Sequence, residues 1–182
     1  MRKVLVYGAG TLGLIVQEML EQDVDEVVLV DDDSTVSALN YEKAKAFFTP
    51  DICDVVIALG YKNLANRLAI YNKVKKDGYH LKRVIHPRAY INSKAIIGEG
   101  CIIMANASVG LGAILSDMIV MWMGSTVSHD STIGMNTFLS PNSTICGFAE
   151  IGSNSFIGAG AIVVDRVILP SNSFIKAGSV SQ

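Results

Sequence analysis

The amino-acid sequence predicts a two-part chain, an α/β domain over residues 1–82 followed by a parallel β-helix over residues 83–182. Three observations carry this. Strand-like and helix-like segments alternate up to about residue 80. A glycine loop, Gly8-x-Gly10-x-x-Gly13, closes the first strand-like run. From Ile85 onward the apolar period becomes six and keeps its register almost to the C-terminus.

In the first part "KVLVYG" reads as an apolar strand ending in glycine, and "TLGLIVQEMLEQ" as the helix after it. "EVVLV" is the next strand and runs into Asp31, Asp32 and Asp33; "YEKAKAFF" is helical in pattern, and "DVVIALG" is a third strand. "NLANRLAIYNKVKKDGY" aligns Leu64, Leu68, Tyr71 and Val74 on one helical face, with Gly78 where a C-cap belongs. Strands alternating with helices imply a parallel sheet with crossover connections.

In the second part the count of six passes through Ile85, Ile91, Ile97, Ile103, Val109, Leu115, Met121 and Val127. It continues through Ile133, Leu139, Ile145, Ile151, Ile157, Val163, Leu169 and Ile175, so all sixteen positions are aliphatic. Four residues after each stands a small residue, except at Ile119 and Val167. A hexapeptide period with this pattern specifies a parallel β-helix. The aliphatic residue points inward, the small residue fills the corner, and three hexapeptides close one triangular coil. About five coils fit this span at the ~4.8 Å strand spacing. Asn92, Gly98, Asn106, Gly110, Gly134 and Gly152 recur near the corners, where left-handed backbone angles are expected.

Composition narrows the function classes. Net charge is −2 with no dense basic patch, which argues against a nucleic-acid or anionic-membrane partner. The longest apolar run, "MIVMWM", is too short to span a bilayer, and "MRKVLVYGAG" enters a strand directly without a signal peptide. Cys53, Cys101 and Cys146 show no CxxC spacing, so neither a disulfide framework nor a metal site is expected and the cytoplasm is the expected compartment.

The glycine loop lies after a strand and at a helix start, with Asp31 at the end of the second strand. The space before the β-helix holds one mononucleotide half, a half-Rossmann βαβαβα unit. A nucleotide or nucleotide-sugar site fits that size better than NAD. The structural alternative is that the glycines serve only close helix–strand packing. Arg67 is expected on a solvated helix face.

His129 lies two residues past inward Val127 and so faces outward, where an ordinary imidazole can act as a base. Asp130 adjoins it and can hold one ring nitrogen. Gly147, eighteen residues on, is expected to stack beside His129 as an uncluttered surface for an acyl thioester, its backbone N–H facing a developing oxyanion. His86 reads as structural and His80 as solvated. Met118, Val120, Trp122 and Met123 are expected to face outward as an apolar subunit contact, with Trp122 beside His129.

The ordered set "VYGAGTLG", "VDDD", "VIALGYKNLANR", "VIHPRAYI" and "VSHDSTIG" resembles, over essentially the whole chain, the hexapeptide-repeat sugar acetyltransferases with a left-handed β-helix. The similarity is to the subfamily of UDP-4-amino-sugar N-acetyltransferases and sialic-acid O-acetyltransferases. It implies a homotrimer with acetyl-CoA bound between subunits, and no metal. It also implies acetylation of a nucleotide-linked amino sugar for surface-glycan biosynthesis, with His129 and Asp130 as the catalytic pair. Gly8, Gly10, Asp31, Asp32 and Gly60 match its nucleotide-sugar positions, and Trp122 stands beside the sugar. Gly147, Gly158, Gly160 and Gly178 are implied along the CoA, with Lys176 or Arg166 at its phosphates. Two positions depart from the pattern: Phe138 replaces a second histidine near the acyl carbonyl, and Trp122 replaces an asparagine near the sugar. Acetylation of a sugar hydroxyl uses the same base and stays open, as does a catalytically silent nucleotide-sugar-binding trimer.

Overall fold

The structure, a computed structural model, describes residues 3–21, 26–33, 35–36 and 38–182. The chain separates into two compact units, Met1–Val84 and Ile85–Gln182.

In the first unit β1 (Lys3–Tyr7), β2 (Val27–Val30) and β3 (Cys53–Ile57) form a parallel sheet in the order β2-β1-β3. Central β1 is buried from Val4 to Tyr7 and β3 throughout, Asp54 included, as strands covered on both faces are. Helix α1 (Thr11–Leu20) follows β1 and buries Leu12, Gly13, Val16 and Leu20; Gln22, at the end of the expected helix, lies outside the described residues. Helix α2 is only Tyr41–Ala44, shorter than its sequence pattern suggests, and bonds from Ala46 N–H to Lys43 and Phe47 N–H to Ala44 tighten the chain into turns beyond it. Helix α3 (Leu64–Lys76) ends as expected, with Gly78 at φ +87° and its N–H on the Lys75 carbonyl. One expectation fails here. Arg67 is fully buried rather than solvated, because it lies on the same stripe of α3 as buried Val74.

The second unit is a stack of two-residue strands running from Val84–Ile85 to Val180–Ser181, arranged as three parallel sheets. Each strand pairs with the one eighteen residues away, as Val120–Met121 does with Phe138–Leu139. The core is the inward ladder: Ile103, Val109, Leu115, Met121, Val127, Ile133, Leu139, Ile145, Ile151, Ile157 and Val163 are all buried. Small residues such as Ala113, Ala149 and Ala161 fill the corners within the same cluster.

The glycines obey a rule different from the expected one. Gly98, Gly110, Gly134, Gly152 and Gly158 are the first residues after an inward side chain and have no left-handed backbone. A Cβ on any of them would lie 2.3–2.7 Å from a backbone nitrogen of the next coil, so the reason for glycine is contact between coils. The left-handed angle falls two residues later, at Asn106, Met118, Asp130, Asn136, Asn142, Phe148, Asn154, Arg166 and Asn172, with φ between 56° and 64°. Asparagine and aspartate tolerate that region; Met118, Phe148 and Arg166 enter it at a cost of roughly 1–2 kcal/mol each.

The expected outward apolar patch is also corrected. Met118 and Val120 are fully buried, and only Met123 of that group is clearly exposed. Val120 stands in an outward column with Ile102 and Phe138 as its stacked neighbours, so apolar side chains cover one another along that face. Phe138 continues the column by stacking on Phe156, and Phe156 on Phe174.

Candidate active site

His129 and Asp130 occupy one corner of the β-helix, just after the strand Thr126–Val127. The corner is built by the backbone. Asp130 N–H donates to Leu111 of the preceding coil, and the His129 carbonyl accepts Phe148 N–H of the following one. Ser131, buried in the corner, donates its hydroxyl to the Cys146 carbonyl at 2.7 Å. The left-handed φ of 56° at Asp130 turns its side chain back toward its neighbour. Its Oδ2 lies 3.0 Å from His129 Nδ1, and both side chains are about half exposed.

Three glycines make room for the pair. A Cβ on Gly110 would meet the His129 backbone nitrogen at 2.7 Å, and one on Gly112 would meet Asp130 Oδ1 at 2.6 Å. A Cβ on Gly147 would meet His129 Cε1 at 2.7 Å and Nε2 at 2.8 Å. The surface over Gly147 is therefore not the uncluttered platform expected; the imidazole edge occupies it. The glycine is a seat for the imidazole. Phe148 meets the imidazole edge-on at 5.1 Å, and the Arg166 guanidinium lies 4.4 Å from the Phe148 ring centre.

The other residues expected along CoA spread over the later coils. Gly158 is buried at a corner, where the Ala177 backbone excludes any side chain. Gly160 and Gly178 are exposed left-handed turns with open space before them, and Lys176 is exposed. Trp122 is not beside His129 within the chain. It follows the strand Val120–Met121, one corner earlier, where its ring lies 6.3 Å from Phe138 and its indole N–H is buried without an acceptor. His80 is exposed, 3.5 Å from Asp54, and His86 accepts the Arg88 N–H in a tight turn.

The first unit carries its own cleft, of about 410 Å³, lined by Tyr7, Asp31, Asp32, Leu59, Asn66 and Lys73 among others. Asp31 braces the glycine loop by accepting Ala9 N–H at 2.9 Å. Asp32 accepts the Tyr7 hydroxyl, Asn40 Nδ2 and Tyr41 N–H, with Lys73 Nζ at 3.6 Å. Burial alone would raise the Asp32 pKa, but the hydrogen bonds from Tyr7 and Tyr41 and the Lys73 charge outweigh it and hold the carboxyl below its usual value. Burial, and then Asp32, push the Tyr7 hydroxyl well up, so it stays a donor. Of the glycines, Gly8 packs against the Ala58 carbonyl at φ +115° and Gly13 against Gly8, which is the packing role. Gly10 and Gly60 have nothing before them. The sequence singled out Asp31 and Asp32 but not Tyr7, Asn66 or Lys73. Asn66 and Lys73 are seven residues apart on α3, a spacing that places them on one face.

A parallel β-helix of six-residue period fits a hexapeptide-repeat acetyltransferase. Solved structures agree over the full chain. The acetyltransferase domain of PglB from Neisseria gonorrhoeae FA1090 is 30% identical, with a TM-score of 0.92 over 100% of this chain and 92% of that one. The chain belongs to the acetyltransferase family of that domain. The same domain in complex with acetyl coenzyme A matches at 30% identity and a TM-score of 0.91, over 100% of this chain and 91% of that one. PerB from Caulobacter crescentus, in complex with CoA and GDP-perosamine, is similar in fold at 24% identity, with a TM-score of 0.90 over 100% of this chain and 89% of that one. No family model matches the chain.

Proposed function

We propose that the chain transfers the acetyl group of acetyl-CoA to the amino group of a nucleotide-linked sugar, with His129 as general base. The observation that carries this is the His129–Asp130 pair at 3.0 Å, exposed and seated on bare Gly147. Asp130 accepts the Nδ1 proton, which leaves the Nε2 lone pair for the acceptor. The amine nitrogen attacks the thioester carbonyl and Nε2 takes its proton. The tetrahedral oxyanion collapses, the C–S bond breaks, and the CoA thiolate leaves with a proton. The Gly147 N–H is the assigned oxyanion donor. The complexes of the PglB domain with acetyl coenzyme A and of PerB with GDP-perosamine support the choice of donor and acceptor.

In this reading residues 1–82 hold the nucleotide-sugar and residues 83–182 carry the transfer. The cleft of Asp31, Asp32, Tyr7 and Lys73 takes the nucleotide end, near Gly8, Gly10 and Gly60. The CoA runs past Gly158, Gly160 and Gly178, with its phosphates at Lys176 or Arg166. Neighbouring subunits of a homotrimer complete each site, which is where Trp122 meets the acceptor. The test is acetyl transfer to a panel of UDP-, GDP- and dTDP-linked amino sugars. The wild type is expected to acetylate at least one, and His129→Ala to lose about a hundredfold or more in turnover. Transfer to none of them would overturn the reading, and a fully active His129→Ala would overturn the base.

A further inference from the structure

The corner holds a second carboxylate that the proposed mechanism does not use. Asp165 lies one coil beyond Gly147, and its Oδ1 is 3.1 Å from the point that a Cβ on Gly147 would occupy. His129 Nε2 is 2.8 Å from that same point. The imidazole nitrogen and a carboxylate oxygen therefore flank the same bare Cα, from the coils on either side of Gly147. Asp165 is held in this pose from behind. Its Oδ2 lies 3.3 Å from Arg166 Nε, and the Arg166 guanidinium rests over Phe148, which touches the imidazole edge. Asp165, Arg166, Phe148 and His129 thus form a chain of contacts around bare Gly147.

We infer that Asp165 binds the acceptor as an ammonium ion and selects amines over hydroxyls. This rests on the function proposed above and names what that function leaves open. A sugar amine is mostly protonated near neutral pH and must surrender a proton before it can attack. A cation seated between Asp165 Oδ1 and His129 Nε2, outside the space that the imidazole fills over Gly147, meets both groups. Asp165 attracts the charge, Nε2 takes the first proton and passes it to solvent, and the proton lost on attack then goes by way of Nε2 to the CoA thiolate. An uncharged hydroxyl gains no such attraction, and an acyl oxygen beside the carboxylate would be repelled as its negative charge develops. The acyl oxygen is accordingly assigned to the Gly147 N–H and the nitrogen to the side facing Asp165.

The test compares wild type, Asp165→Asn and Asp165→Glu in steady-state kinetics, with acceptor and acetyl-CoA varied in turn. Asp165 is exposed, and Asn keeps its shape without its charge. The expected result for Asp165→Asn is an acceptor KM raised about ten- to hundredfold, the range for a lost charge-assisted hydrogen bond. The KM for acetyl-CoA stays put, and Asp165→Glu recovers part of the loss. An unchanged acceptor KM overturns the inference. So does a rise confined to the acetyl-CoA KM, which would turn Asp165 toward the donor. A wild type inactive on every amino sugar would instead be the failure of the proposed function, visible before any variant is made.

Discussion

At the scale of single residues, the site depends on side chains that are absent as much as on those present. Gly147 is required because the His129 imidazole lies where its Cβ would be. Gly147→Ala retains the backbone N–H and adds only a methyl, so it separates the seat from any oxyanion role. Its backbone angle is not left-handed, so alanine adds no backbone strain and the clash falls on the imidazole. We expect turnover to fall by about 10²-fold, the cost of an ångström-scale misplacement of a catalytic group. The melting temperature should change little. Unchanged turnover would show that the imidazole does not depend on the seat. The histidine, its aspartate and this glycine were legible in the sequence because an eighteen-residue coil makes stacking a matter of counting. Phe148 and Asp165 were equally countable, but nothing in their residue types announced a place around Gly147. The left-handed turn at Phe148 and the ion pair at Asp165 exist only in the folded corner.

At the scale of elements, the three-stranded unit ties its cleft to its stability. Asp32, after β2, accepts bonds from Tyr7 at the end of β1 and from the first residue of α2. Tyr41 stacks on Tyr7 at 5.0 Å and reaches Asp77 beyond α3 at 2.9 Å. Burial alone would raise the pKa of Asp77, yet bonds from Lys45 and Tyr41 hold it low, as similar bonds do for Asp32. A carboxyl whose pKa is depressed on folding adds stability that is fully present above its unfolded value, near 3.8, and is lost as pH falls through the folded value. Thermal melts of wild type and Asp32→Asn should therefore differ most above the unfolded value and converge as pH falls through the lower folded value. A gap that persists in acid would mean that Asp32 contributes through shape and not charge. The strand and helix order was readable from apolar periodicity, whereas this aspartate–tyrosine network was not. Its partners are as much as 36 residues apart in sequence and meet only through the sheet.

At the scale of the whole molecule, outward aliphatics remain uncovered. Ile96, Ile114 and Ile168 share one face of the β-helix and are 60%, 40% and 70% exposed. Large exposed apolar side chains on a repeated scaffold mark assembly surfaces. Sedimentation velocity is expected to give a species of three times the 19.5 kDa chain mass. A monomer at assay concentration would exclude the trimer. Among the described residues no helix is long and apolar enough to cross a membrane.

The sequence by itself determined the division of the chain, the β-helix and its register, and the outward placement of His129. These follow from periodicity, which is a local property that burial of every sixth side chain enforces. Tertiary structure alone decided that Arg67, Met118 and Val120 are buried, that Trp122 lies a corner away from His129, and that Gly147 seats a ring. It also decided that Asp165 and the His129 imidazole flank the same glycine. Those outcomes depend on which atoms of one coil fill the gaps of the next. A six-residue pattern states which way a side chain points, but not what it meets there.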